Sequence, residues 1–182
     1  MLWKINYNKG MRIAVISDTH DNLPNFKKAV EWIEKEKIKM IVHCGDVCSA
    51  GTLKEAIENF SGRVHLVFGN VDETNFCPTE NDFQKSFLNV IFHKKRGEIK
   101  TGKKKIAFVH FPELARELAA SRDYDLVFYG HTHKPWQEKI KNCLLINPGN
   151  LAGLFYQATF AVYNSENNKL ELKIMSQLNL KK

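Results

Sequence analysis

The chain has 182 residues, 43% of them hydrophobic and 26% charged, an ordinary balance for one globular domain able to bury a core. No apolar run approaches the roughly 20 residues needed to cross a membrane. The first residues lack the pattern of a secretory signal, so the cytoplasm is the expected compartment. The net charge is +7, and the excess sits in Lys94–Arg96, Lys103–Lys105 and Lys181–Lys182. No aromatic residues interleave these clusters as in a single-strand stacking platform. They read as a solvated surface, and nucleic acid is not an expected partner. Cys44, Cys48, Cys77 and Cys143 form no CxxC pair, so free thiols are expected rather than a zinc knuckle.

Residues 1–10 read as an extension: a tag, a start-site artefact or a short N-terminal arm. From Met11 onward the pattern is strong. Arg12–Ser17 is an apolar, β-branched run, hence a buried strand. Pro24 suits the first turn of a helix, and Phe26, Ala29, Val30 and Ile33 recur at helical spacing. Met40–His43 is a second strand. Thr52–Phe60 reads as a helix ended by Ser61 and Gly62, and Val64–Phe68 as a third strand. This βαβαβ start predicts parallel strands with helices packed on the sheet.

The second half is richer in strands: Val90–His93, Glu98–Thr101, Lys105–His110, Leu126–Tyr129, Leu144–Asn147, Thr159–Tyr163 and Leu170–Met175. One helix, Pro112–Ser121, interrupts them with Leu114, Ala115 and Leu118 on one face. Ser165–Asn168 is the turn of a closing hairpin. The sum is a mixed sheet system with helices outside.

The conspicuous polar residues fall at strand ends. Asp18 and His20 follow the first strand, Asp46 the second, and Asn70 with Asp72 the third. His110 ends the Lys105 run. His131 and His133 follow the Leu126 strand, and Asn147 ends the next. Ligands of open α/β sheets gather outside the carboxyl ends of strands. Residues two apart in extended backbone project to one side, so Asp18 with His20, and His131 with His133, can each share a site. Gly45, Gly69 and Gly130 precede these residues, where glycine permits tight turns at positive φ. Carboxylate, amide and imidazole together suit Mn, Fe, Zn and similar ions. Each element alone is weakly specific, and a lone Gly-Asp is usually a turn. Five of them in order, each after an apolar β run, are hard to explain as turns.

The order Asp-x-His, Gly-Asp, Gly-Asn-x-Asp, His, Gly-His-x-His resembles the calcineurin-like metallophosphoesterase superfamily. The Ser-Asp-Thr-His-Asp-Asn start is most similar to its small single-domain bacterial and archaeal phosphodiesterase branch. The resemblance covers nearly all of Met11–Met175 and implies an α/β, or α+β, fold: a four-layer αββα sandwich of two mixed β-sheets flanked by helices, in a single domain over 11–182. It implies two divalent metal ions, Mn2+ first among Mn2+, Ni2+, Fe2+, Zn2+ and Mg2+. Asp18, His20 and His133 would hold one ion, Asn70, His110 and His131 the other, and Asp46 would bridge them. Asp46, Asn70 and His110 would serve catalysis through the metals. The implied reaction is hydrolysis of a small phosphodiester by a metal-activated hydroxide. Self-association as a dimer or tetramer is a further expectation from the family.

The pattern departs from the family at two positions. Many members carry a proton-donating histidine where this chain has Val71, which predicts dependence on a good leaving group. Members also often have glycine after the histidine equivalent to His110; here Phe111 either narrows the pocket or begins the helix opened by Pro112. Asp72 reads as orienting His20 or another ligand. His43 reads equally as support for a ligand and as a buried strand histidine. Asn22 and Asn147 would fix loops or contact substrate, and Lys134 reads as an exposed lysine. His65 and His93 read as structural or surface residues, Trp32 as core and Trp136 as a pocket rim. Two rivals stand beside the enzyme. One is a protein-binding scaffold resembling the retromer subunit of this fold; the other is a nuclease, which the missing capping domain disfavours.

Overall fold

A computed structural model describes residues 5–7, 9–72 and 87–179. In chain order the elements are β1 (Ile5–Tyr7), β2 (Arg12–Ile16), α1 (Leu23–Lys35), β3 (Met40–His43), α2 (Ala50–Ile57), β4 (Arg63–Val67), β5 (Val90–His93) and β6 (Arg96–Thr101). They continue with β7 (Lys104–Val109), α3 (Pro112–Ala120), β8 (Leu126–Phe128), β9 (Trp136–Ile140), β10 (Cys143–Asn147), β11 (Thr159–Asn164) and β12 (Lys169–Ile174). Trp3, Cys77, Lys181 and Lys182 lie outside the described residues.

The strands form two six-stranded sheets, ordered β12-β11-β2-β3-β4-β5 and β1-β6-β7-β8-β10-β9. In the first, β2 to β5 run parallel, and the β11–β12 hairpin adds antiparallel strands beside β2. In the second, the parallel run β7-β8-β10 is bordered by antiparallel β6 and β9, and β1 pairs parallel with β6. Both sheets are therefore mixed, as expected.

Three apolar clusters order the layers. Phe26, Ala29, Val30 and Ile33 of α1, with Leu53 and Ile57 of α2, pack on Ile16, Ile41 and Leu66 of the first sheet. Between the sheets lie Ile13, Val15, Val42 and Val67 from one side and Ile106, Phe108, Phe128 and Ile146 from the other. Ala115, Leu118 and Ala119 of α3 cover Val109, Val127 and Leu145 on the outer face of the second sheet. The layers thus run helix, sheet, sheet, helix. Burying each of the valine, leucine, isoleucine and phenylalanine side chains among these contributes roughly 1.5–3 kcal/mol.

The helix starts follow from local chemistry. Asn22 caps α1, its Oδ1 accepting from the Asn25 N–H at 3.1 Å, with Pro24 in the first turn. Ser49 caps α2 by accepting from Thr52. That cap starts the helix at Ala50, two residues ahead of the expected Thr52, and it ends at Ile57. Two strands go beyond the sequence reading: β1, whose alternating Ile5-Asn6-Tyr7 lies in the stretch read as an extension, and β9, an edge strand with no fully buried residue. Trp32 is half-buried at the edge of the core, edge-on to Phe160.

Candidate metal centre

The carboxyl ends of β2, β3, β4, β7 and β8 meet at one place, and backbone hydrogen bonds lace their loops together. Asp18 N–H donates to Gly45 O at 2.9 Å and His20 N–H to Asp46 O at 3.0 Å, joining the loops after β2 and β3. Gly130 N–H donates to His110 O at 3.1 Å, joining those after β8 and β7. His131 N–H reaches across the sheets to the Asp18 carboxylate at 3.1 Å.

All seven expected donors converge. His20 Nε2 lies 3.1 Å from His133 Nε2, and the Asp18 carboxylate stands 3.5 Å from His133 Nε2 and 3.9 Å from His20 Nε2. On the other side, His110 Nε2, His131 Nδ1 and Asn70 Oδ1 lie within 3.0–3.2 Å of one another. Asp46 sits between the two groups, its Oδ2 3.8 Å from His20 Nε2 and 3.5 Å from His110 Nε2. Asp18, His20 and His133 form one set of potential metal ligands, and Asp18, Asp46 and His110 form a second. Asp18, Asp46 and His110 make a buried floor, while Asn70 and His131 are exposed at the mouth.

This donor set suits a cation. Two imidazole nitrogens at about 3 Å need a proton or a cation between them, because bare lone pairs repel. Burial pushes the Asp18 carboxyl up to about 8, and neighbouring Asp46 adds to the rise. Burial also pushes the His110 imidazole down. A buried cluster that resists both negative carboxylate and positive imidazolium is one that a divalent ion satisfies.

Backbone strain accompanies the convergence. Asp18, His20, Asp46, His131 and His133 all have φ between 41° and 69°, a left-handed region uncommon for residues with a Cβ. Among the three glycines, the expected positive φ occurs at Gly45 alone, at 98°. Gly69 and Gly130 serve close approach instead: a Cβ on Gly69 would strike Asp46 Oδ1, and one on Gly130 would strike Ser17 Oγ.

The supporting residues have defined work. Asp72 accepts from the backbone N–H of Asp46, Val47, Cys48 and Gly69 at 2.7–2.9 Å. It therefore orients Asp46 rather than His20, beside whose Nδ1 stands Cys48 Sγ at 3.5 Å. His43 is fully buried beneath the site, 3.3 Å from Thr19 Oγ1 and accepting from Gly45 N–H at 3.1 Å. Burial drives its imidazole down to about 3, so it stays neutral. Asn22 Nδ2 donates to Ala152 O, and Asn147 Nδ2 donates to Gly130 O and Thr132 Oγ1; both fix loops. Phe111 begins the helix that Pro112 opens. It occupies the cap position of α3, and its ring lies 5.1 Å from that of His131. Lys134 lies over the exposed Trp136 ring.

Asn150 went unnoticed in the sequence. It is fully buried, donates to His133 O at 3.0 Å and accepts from Leu154 N–H at 2.9 Å. The Asn-Pro-Gly-Asn run around it was the available signal, since asparagine beside glycine marks a side chain that ties a turn.

Two packed sheets with imidazole and carboxylate donors at the strand ends define an α/β protein with a candidate metal site. The Calcineurin-like phosphoesterase superfamily domain matches residues 11–168, and the chain belongs to that superfamily. It is 35% identical to a phosphodiesterase of Methanocaldococcus jannaschii over 143 residues, 79% of this chain and 86% of that one. A solved archaeal phosphodiesterase superposes with a TM-score of 0.81 at 29% identity, covering 90% of this chain and 99% of that one. Vacuolar Protein Sorting 29 of Cryptosporidium parvum shares the fold, with a TM-score of 0.60 at 20% identity over 91% and 97% of the two chains. No described helix is long and apolar enough to cross a membrane.

Proposed function

We propose that this protein is a phosphodiesterase working through a dinuclear metal centre. The observation that carries it is the position of Asp46, whose Oδ2 faces an imidazole of each donor group. On this reading Asp18, His20 and His133 would hold one ion and Asn70, His110 and His131 the other, with Asp46 shared between the two groups, and Mn2+ is the first candidate for both. Divalent ions bound there would ready a water for attack near neutral pH and stabilise charge on the phosphoryl oxygens.

The chain's own groups prepare that chemistry. Val71 N–H donates to Asp46 Oδ1 at 3.0 Å, which fixes the carboxylate plane and leaves Oδ2 turned to both imidazoles. Asp72 holds the loop that carries Asp46. His131 and Asn70, exposed at the mouth, are the donors a substrate phosphate meets first. The Val71 side chain has no proton to give, so departure of the alcohol rests on its own acidity. A small phosphodiester with a good leaving group is the substrate class. The intact donor set favours this reading over a scaffold role, because binding a partner does not need seven converging ligands.

The test is turnover of an aryl phosphodiester by purified protein with added Mn2+, together with metal content per chain. Two ions per chain and a rate that falls steeply with leaving-group pKa are expected. Asp46→Ala should lose more than roughly a hundredfold in activity, since even groups behind the ligands are worth 10–100-fold. Absence of hydrolysis across a panel of aryl diesters, or full activity in Asp46→Ala, would sink the proposal.

A further inference from the structure

Two aromatic rings stand at the mouth of the site, one beside each half of the donor set. Phe111, 38% exposed, lies against His110 and His131 at ring-centroid distances of 4.9 and 5.1 Å. Phe155, 90% exposed, lies 5.7 Å from His133. A phenylalanine this exposed contributes little to folding. It also adopts φ 65°, a left-handed conformation that is unfavourable for a bulky residue. Such cost without burial is the pattern of a functional position.

The loop holding Phe155 is braced rather than loose. Asn150 ties Leu154 N–H to the His133 carbonyl. Asn22 and Asn25 donate from the start of α1 to Ala152 O and Leu151 O at 2.9 and 2.8 Å. Leu151 and Ala152 N–H donate to Ser17 O and Asp18 O. The ring is therefore presented from the same framework that sets Asp18 and His133.

We infer that Phe111 and Phe155 are specificity residues that stack the two ester substituents of the substrate, selecting phosphodiesters with planar aromatic groups on both sides of phosphorus. The inference rests on the phosphodiester reading above and narrows it. A diester anchored at the centre of the donor set has one substituent on each side, and each side offers a ring. A monoester would use only one ring. Stacking on an aromatic side chain is worth about 1–3 kcal/mol per planar group, or roughly five- to a hundredfold in affinity. The planar group is either an aryl ester or a nucleobase.

The experiment compares binding of diphenyl phosphate, dimethyl phosphate and a dinucleoside monophosphate by calorimetry, with Mn2+ present. It runs beside turnover of p-nitrophenyl phenyl and p-nitrophenyl methyl phosphodiesters, which share one leaving group. The native protein should bind diphenyl phosphate at least about tenfold more tightly than dimethyl phosphate, from the stacking energies above. The phenyl-over-methyl ratio in kcat/KM should follow. Phe155→Trp should keep both ratios, Phe155→Gly and Phe111→Gly should each lower the binding ratio by one ring's share, and the two changes together should bring it toward one. Phe155→Gly should also melt at the native temperature or above it, since glycine suits φ 65°; a merely structural role would lower the melting temperature and leave the ratios in place. Tight binding of the dinucleoside monophosphate assigns the ring to a nucleobase, and weak binding assigns it to an aryl ester. Equal affinity for diphenyl and dimethyl phosphate, as expected if a partner protein covers this rim, overturns the inference, as does a ratio left undiminished by Phe155→Gly. Ring-dependent binding without turnover of either ester would sink the hydrolase reading and leave the stacking role standing.

Discussion

At the residue scale, the site is held by groups that never touch a metal. Asp72 collects four backbone N–H donors from two loops. Asp72→Ala strands those buried donors, and each unsatisfied one costs about 1–3 kcal/mol. Metal affinity should fall on the order of 10–100-fold, read by competition with a chelating dye. An unchanged affinity would mean that the loop after β3 holds its shape unaided. Strand ends showed where polar side chains would gather, and the family resemblance picked the seven among them that the fold brings together. The target of Asp72 was not legible in the sequence, since only the closed loops bring Asp46, Val47 and Cys48 within reach of it. Asn150 and Phe155 escaped for the same reason: their meaning lies in which loop they meet.

At the scale of elements, legibility followed burial. Helix α1 was readable residue by residue because its four buried positions fall on one face. β9 was invisible because its Trp-Gln-Glu-Lys-Ile run has polar residues at its three central positions and only Ile140 packs on the core, which leaves no hydrophobic period. The strand β1 reveals a contact of another kind. Tyr7 bonds to His65 Nε2 at 3.0 Å, and His65 Nδ1 lies 3.1 Å from His93 Nε2, so the edge of one sheet is tied to β4 and β5 of the other. Burial lowers His65 to about 3 and His93 to about 4. With folded values below the unfolded value near 6.5, the unfolded chain binds more protons as pH falls. Stability is therefore full above about pH 6.5 and drains between there and pH 3–4, by up to roughly 1.4 kcal/mol per pH unit for each histidine. Denaturant titrations of His65→Phe across that range should show a shallower decline than the native protein. A parallel decline would remove the histidines from the account.

At the scale of the whole molecule, the alternation of strands and helices pointed to mixed sheets with helices outside, and the four-layer arrangement that the family resemblance implies is the one observed. The sequence offered Phe111 and Trp136 as rim candidates but gave no sign of Phe155, whose place depends on the loop after β10. Metal binding links to global stability, since an ion that binds only the folded chain stabilises it by mass action. Saturating Mn2+ at about a hundred times its dissociation constant adds roughly 2.7 kcal/mol per independent site. Stripping with a chelator should therefore lower Tm by several degrees, reversibly on reloading, as scanning calorimetry would record. Asp46→Ala should blunt that shift. An identical Tm with and without Mn2+ would mean that the cluster does not hold the ion.

The donors are also divided between the sheets. Asp18, His20, Asp46 and Asn70 come from the ends of β2, β3 and β4, while His110, His131 and His133 come from the ends of β7 and β8 on the facing sheet. Ions seated among them would span the seam like a rivet. A rivet is set only after the plates are aligned, and five strand ends far apart in the chain align late. Its grip then falls on the rate at which the sheets part, and hardly at all on the rate at which they first come together.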